Sequence, residues 1–88
     1  MARVTVLGVK RGDAGIVSLK VSLVGLPDRI LDRDTAIRWA RDQHSFLTPS
    51  GVAVQLVGVD DDGGQTTWFL REDNQPEPYD HLPSVASI

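Results

Sequence analysis

The 88-residue chain has no cysteine, one methionine, two histidines and only 6% aromatic residues. Without cysteine there is no disulfide, no thiolate metal site and no cysteine nucleophile. Imidazole chemistry is confined to His44 and His81, and a metal site would need both together with carboxylates such as Asp42 or Asp80. No apolar run approaches the roughly 20 residues that span a bilayer, and MARVTVLGVKRGD has no run of signal-peptide length before Lys10. A glycine-rich phosphate loop between strand and helix is missing, as is a nucleophile elbow. Together these absences predict a soluble, cytoplasmic protein that is not an enzyme, with no metal, no cofactor and no membrane partner.

What is present is ordinary globular composition, 41% apolar and 24% charged, in a chain long enough for one domain over 1–88. The charge is unevenly placed. Residues 1–59 carry +3 and residues 60–88 carry −6, so the acidic end is expected to fold back on the basic body.

Two alternating stretches, RVTVLGV (3–9) and IVSLKVSLVGL (16–26), flank the turn-rich KRGDAG and predict a hairpin. Strict alternation puts Val17, Leu19, Val21 and Leu23 on one face of the second strand, and Leu7 and Val9 on the sheet face away from the helix. The Arg11-Gly12-Asp13 tripeptide reads as the turn of this hairpin, not as an adhesion signal. A helix is expected from an N-cap at Asp32, with Ala36, Ile37, Ala40, His44 and Leu47 on one face and His44 stabilising its C-terminal turn. Asp34, Arg38 and Asp42 are spaced for i,i+4 ion pairs. VAVQLVGV (52–59) and QTTWFLR (65–71) predict a second hairpin across the turn DDDGG, whose spacing does not match a calcium loop.

The expected fold is therefore α+β: one four-stranded antiparallel sheet with one helix on one face (ββαββ, 1–72), and a C-terminal latch (73–88) packed back on the body. The latch anchors are Tyr79, Leu82 and Pro83, with Val85 beside them, and Tyr79 and Leu82 are expected to be buried. An apolar sheet face remains to be covered, by this latch or by a second copy.

GIVSLKV in the second strand, Ala36, Ile37 and Ala40 in the helix, Phe69-Leu70-Arg71 and the closing Leu82-Pro83 together resemble a family of short bacterial proteins of unknown function. That family ends in a Tyr-Leu-Arg … Asn-Leu-x-x-Leu-Pro type signature, from which this chain departs at Pro78 and Tyr79. The resemblance implies a bacterial protein of this architecture and implies no activity.

The surface expected to act comprises Trp39, Arg38, Arg41, Trp68 and Phe69. The leading expectation is a non-enzymatic protein-interaction module working through an apolar sheet face or edge, its partner itself, as a homodimer, or another protein. The alternative is nucleic-acid binding by the arginine-bearing helix, because guanidinium groups pair phosphates and indoles stack bases. Asp28, Asp32, Asp34 and Asp42 interleave with those arginines and argue for a solvated face instead. A hydrolase built on His44 or His81 with nearby aspartates is the third and weakest reading.

Overall fold

The computed structural model describes residues 2–13 and 15–88. The first hairpin forms where the alternation places it: β1 (Arg3–Gly12) and β2 (Gly15–Leu23) pair antiparallel, from Val4 opposite Leu23 to Gly12 opposite Gly15. Two register shifts interrupt the ladder, one skipping Leu7 and the other skipping Val17. An extra residue in one strand carries every later side chain to the other face. Val4, Val6 and Val9 therefore all lie in the core with Ile16, Leu19 and Val21, whereas Val17 is 51% exposed. The strict alternation expected for both strands is corrected at these two points. With Val9 turned inward, the opposite face of β2 carries Ser18, Lys20 and Ser22 and is mostly polar.

The chain then makes a short strand before its helix. β3 (Arg29–Asp32) pairs antiparallel with β2 and buries Leu31. Asp32 ends this strand and starts α1 (Arg33–Arg41), its carboxylate accepting the Thr35 N–H at 3.0 Å. Hydrogen bonding from Thr35, by its hydroxyl first and its N–H second, holds the Asp32 carboxyl below its ordinary value.

The helix closes earlier than its apolar periodicity suggests. The His44 N–H bonds back to the Trp39 carbonyl and the Gln43 N–H to the Ala40 carbonyl, both at 3.2 Å, with Gln43 at φ 71°. This is the pattern of a Schellman stop, whose left-handed residue is usually glycine. Here glutamine takes that conformation, so no sequence signal marks the end. His44 consequently lies outside the helix: its Nδ1 accepts the Ala2 N–H at 3.0 Å and its ring packs 5.7 Å from Trp39. Among the described residues Arg38 forms no ion pair with Asp34 or Asp42. A side chain in the left-handed region costs about 1–2 kcal/mol, of which glycine's greater loss of chain entropy on folding cancels about 0.5–1 kcal/mol. Gln43→Gly should therefore raise the melting temperature by about 3–6 °C, measured by thermal circular dichroism.

Residues expected to end the helix form β4 (Ser45–Leu47), parallel to β1 from Arg3 opposite Ser45 to Thr5 opposite Leu47. The turn that follows is held by the Val52 N–H on Thr48 Oγ1 at 3.0 Å. β5 (Gln55–Asp60) and β6 (Thr66–Arg71) make the second hairpin, and in its turn the Asp61 carboxylate accepts the Gly63 and Gln65 N–H groups.

The single four-stranded antiparallel ββαββ sheet does not form. Among the described residues six strands make two sheets, one mixed with order β3-β2-β1-β4 and one two-stranded, β5-β6. The reason lies at the edges of the first hairpin. RILD takes the free side of β2, and SFL takes the free side of β1 near its start. Further along β1, the Val9 N–H bonds to the Ala86 carbonyl and the Ile88 N–H to the Val9 carbonyl, both at 2.9 Å. With both flanks of the first hairpin taken, the second hairpin forms a sheet of its own and joins the body through the shared core. The core gathers the valines and leucines of the mixed sheet with Phe46, Ala36 of α1, Leu70 of β6, and Leu82 and Val85 of the C-terminal segment.

Candidate functional site

The site begins with a buried cation. Arg71 ends β6 with its side chain 2% exposed, and its guanidinium gathers the acidic segment that follows. Nε and Nη2 donate to the Asp73 carboxylate at 2.7 and 3.1 Å, Nη1 donates to the Tyr79 carbonyl at 3.0 Å, and Glu77 lies at 3.8 Å. The Tyr79 ring lies over the guanidinium, 4.8 Å from its carbon. The hydrogen bond with Asp73 raises the Arg71 pKa and lowers that of the Asp73 carboxyl, while a hydrogen bond to Glu77 raises the Tyr79 phenol. Between these partners the Glu77 N–H bonds to the Gln75 carbonyl and the Tyr79 N–H to the Glu77 carbonyl, both at 2.9 Å. Bonds of this two-residue span are γ-turns, here centred on Pro76 and Pro78, whose fixed φ suits them. QPEPY is thus an ordered ribbon wrapped around Arg71.

The ribbon delivers Asp80 and His81 to the outer edge of β6. The His81 N–H donates to the Leu70 carbonyl, and the Glu72 N–H to the His81 carbonyl, each at 2.9 Å. The Asp80 side chain is 4% exposed and accepts the Leu70 N–H at 3.0 Å. It is also gripped from the first turn of α1: Arg33 Nε donates to Oδ2 at 2.7 Å and Nη2 to Oδ1 at 3.0 Å. Nη2 donates as well to the Trp68 carbonyl at 2.7 Å. The Asp80 hydrogen bond raises the Arg33 pKa. The two side chains therefore occupy the place where another strand would pair with β6.

Above them opens a cleft of about 310 Å³ lined by Ile16, Val17, Phe69, Pro78, Tyr79 and the Arg33–Asp80 pair. Arg33 is 25% exposed and lies 5.7 Å over the Phe69 ring, and its Nη1 has no partner among the described residues. Apolar walls with a few convergent polar groups are what a binding cleft requires. A second depression of about 330 Å³ is bordered by Asp34, Ile37, Arg38, Arg41 and Asp42. It is lined by one helix alone and mixes charges of both signs, the pattern of a solvated helix face.

The five residues expected to form one surface are dispersed. Arg38 and Arg41 border the helix depression, and Arg41 lies 5.3 Å over Trp68. Trp39 is on another side of α1, half-buried beneath Arg29 at 5.4 Å. Phe69 alone reaches the cleft. Of the latch anchors, Leu82 is buried, Pro83 is exposed, and Tyr79 is 48% exposed, against the burial expected of it. From the sequence, Arg33 stands out only among the arginines on or beside the helix, Asp80 only as a possible metal carboxylate and Arg71 only in the closing signature; nothing joins the three into one site. The available signal was the order in REDNQPEPYD, an arginine followed by acids two and six residues on. The chain matches no family model, no curated protein and no solved structure. Among the described residues no three His, Asp or Glu side chains stand close enough to hold a metal ion, and no helix is long and apolar enough to cross a membrane.

Acid should loosen the Arg71 ribbon. Asp73 and Asp32 both have folded pKa values below 3.8. A depressed carboxyl favours the fold above its unfolded value and loses that contribution as pH falls through the folded one. On this account the urea midpoint should change little between pH 7 and pH 5 and drop below about pH 4. Asp73→Asn should flatten that drop.

Proposed function

We propose that this protein is a non-enzymatic interaction module that takes an extended segment of another protein into the cleft above Arg33 and Asp80. The observation that carries the reading is the state of Arg33: two nitrogens are fixed by Asp80 and the Trp68 carbonyl, while Nη1 is unspent beside the open cleft. A donor held in advance loses little freedom on binding. Because the charges of Arg33 and Asp80 cancel, that donor suits a neutral acceptor such as a peptide carbonyl better than a phosphate. Phe69, Val17, Pro78 and Tyr79 supply apolar contact for the side chains between carbonyls. Asp80, the one carboxylate lining the cleft, is fully engaged by Arg33 and the Leu70 N–H, which leaves no free base beside a nucleophile.

The nucleic-acid reading fares less well. Arg29 and Arg41 lie over the Trp39 and Trp68 rings, and Gly58 packs closely against the Trp68 ring, so both indoles already have partners where a base would have to stack. The test is selection of a displayed peptide library on the folded protein, followed by anisotropy titration. Neutral extended peptides should bind, weakened at least about tenfold by Phe69→Ala or Arg33→Lys and unaffected by the pair Arg38→Ala and Arg41→Ala. No enrichment, or binding lost only in the helix variant, would overturn the cleft.

A further inference from the structure

A second surface, independent of the cleft, follows from how the strand edges are protected. An uncovered edge with unpaired N–H and C=O groups is a template for another strand, and proteins ordinarily shorten, charge or cover it. β1 is paired on both sides, and β6 is closed by His81, Asp80 and Arg33. β3 has only four residues with a charge at each end, and β4 has three and is continued by the Leu47–Ala53 bridge. β5, QLVGVD, has six residues, no lysine, arginine or proline, and one charge at its end.

Its outward groups can be identified. In an antiparallel ladder, directly opposite residues turn their backbone groups either both toward each other or both away. Trp68 and Leu70 bond outward, to Arg33, Asp80 and His81, and they stand opposite Gly58 and Leu56. Leu56, Gly58 and Asp60 therefore direct their N–H and C=O groups away from β6. Among the described residues nothing accepts or donates to them.

We propose that β5 pairs with β5 of a second copy of this chain, antiparallel about a two-fold axis at Gly58. A two-fold normal to the sheet makes residues of like parity face one another, so Gly58 meets its own copy and Leu56 meets Asp60 of the other chain. This register uses all three outward residues of each strand. Val57 and Val59 stand opposite each other across the seam, a close β-branched pair. No like charges meet, since each Asp60 faces an apolar residue. The absence of a side chain at Gly58 matters on the axis, where Trp68 already fills the space a Cβ would occupy, at 2.9 Å. The result is a continuous β6-β5-β5-β6 sheet that leaves the Arg33 cleft open in both copies.

One strand pair is small beside the roughly 1,200–2,000 Å² of a stable interface, so association should be weak and reversible. Sedimentation equilibrium from about 5 µM to 1 mM should show a reversible shift toward twice the 9.6 kDa chain mass. Val57→Lys with Val59→Lys places like charges opposite each other and should weaken association at least about tenfold. Val57→Glu with Val59→Lys places opposite charges there and should restore it. A monomer at 1 mM, or a double-lysine variant that associates like the parent, would overturn the proposal. If both double variants are folded by circular dichroism and both stay monomeric, the register at Gly58 is wrong and the proposal falls with it.

Discussion

A chain truncated after Asn74 should show no cooperative thermal transition at or above 25 °C. The deleted segment supplies Leu82 and Val85, 2% and 3% exposed in the shared core, and burying each contributes about 2 kcal/mol. It also supplies the groups that close β6 at Leu70 and just beyond it: the His81 N–H and carbonyl, and the Asp80 carboxylate on the Leu70 N–H. At the far end, Ala86 and Ile88 complete the edge of β1. Arg11 donates to the Leu82 and Val85 carbonyls and to Ser87 Oγ, and Arg71 would lose the Tyr79 carbonyl. Small domains have about 5–15 kcal/mol of stability in total, and these losses together fall in that range. The full-length Leu82→Ala variant isolates the packing contribution. It should cost about 3 kcal/mol and lower the melting temperature by roughly 12–20 °C. Truncated protein that melts with the same midpoint as the whole chain would show that the segment is not part of the folding unit.

Asp80→Ala should be the most damaging single polar substitution, at about 2–4 kcal/mol by urea denaturation. It uncaps the Leu70 N–H and leaves the Arg33 guanidinium, three-quarters buried, without its counter-charge. The exposed quarter of Arg33 keeps the cost below that of a fully enclosed pair. Asp80→Asn keeps an acceptor for Leu70 and should cost about half as much. Combining Arg33→Met with Asp80→Ala should cost less than the two changes added, because the stranded cation is gone, yet more than Arg33→Met alone. Additive effects would mean that the two residues do not work as a unit. Peptide binding in the Asp80→Asn protein would then show whether Arg33 keeps its position without the charge of its partner.

The contrast between legible and illegible parts of this chain follows a single rule about distance along the sequence. Asp32 as N-cap depends on a contact three residues away, and both hairpins depend on turn chemistry between neighbouring strands, so each could be read directly. The helix end could not, because its left-handed position holds Gln43, whose conformation is fixed by packing of His44 against Trp39 and Ala2. The two register shifts were hidden for a related reason. Alternation continues through Leu7 and Val17 in the sequence, and only the pairing partner shows that one residue has been skipped.

The candidate site was the least legible. Phe69 was anticipated as part of an interaction surface, but its neighbours Arg33 and Asp80 are 47 residues apart and meet only because Arg71 winds the intervening acidic ribbon back along β6. Trp39, Arg38 and Arg41 share a helix, yet helical geometry sends Trp39 to one side and the arginines to another.

By itself the sequence determined a cysteine-free α+β domain with two hairpins, a capped helix and an acidic end suited to folding back on a basic body. Those features follow from local propensity, short-range capping and net charge. The division into two sheets, the inward turn of Val9, the burial of Arg71 and the assembly of the Arg33–Asp80 cleft were decided only by the tertiary structure. Each depends on which distant segment takes a strand's free edge, and competition for backbone hydrogen bonds between segments dozens of residues apart is resolved by the packing of the whole chain.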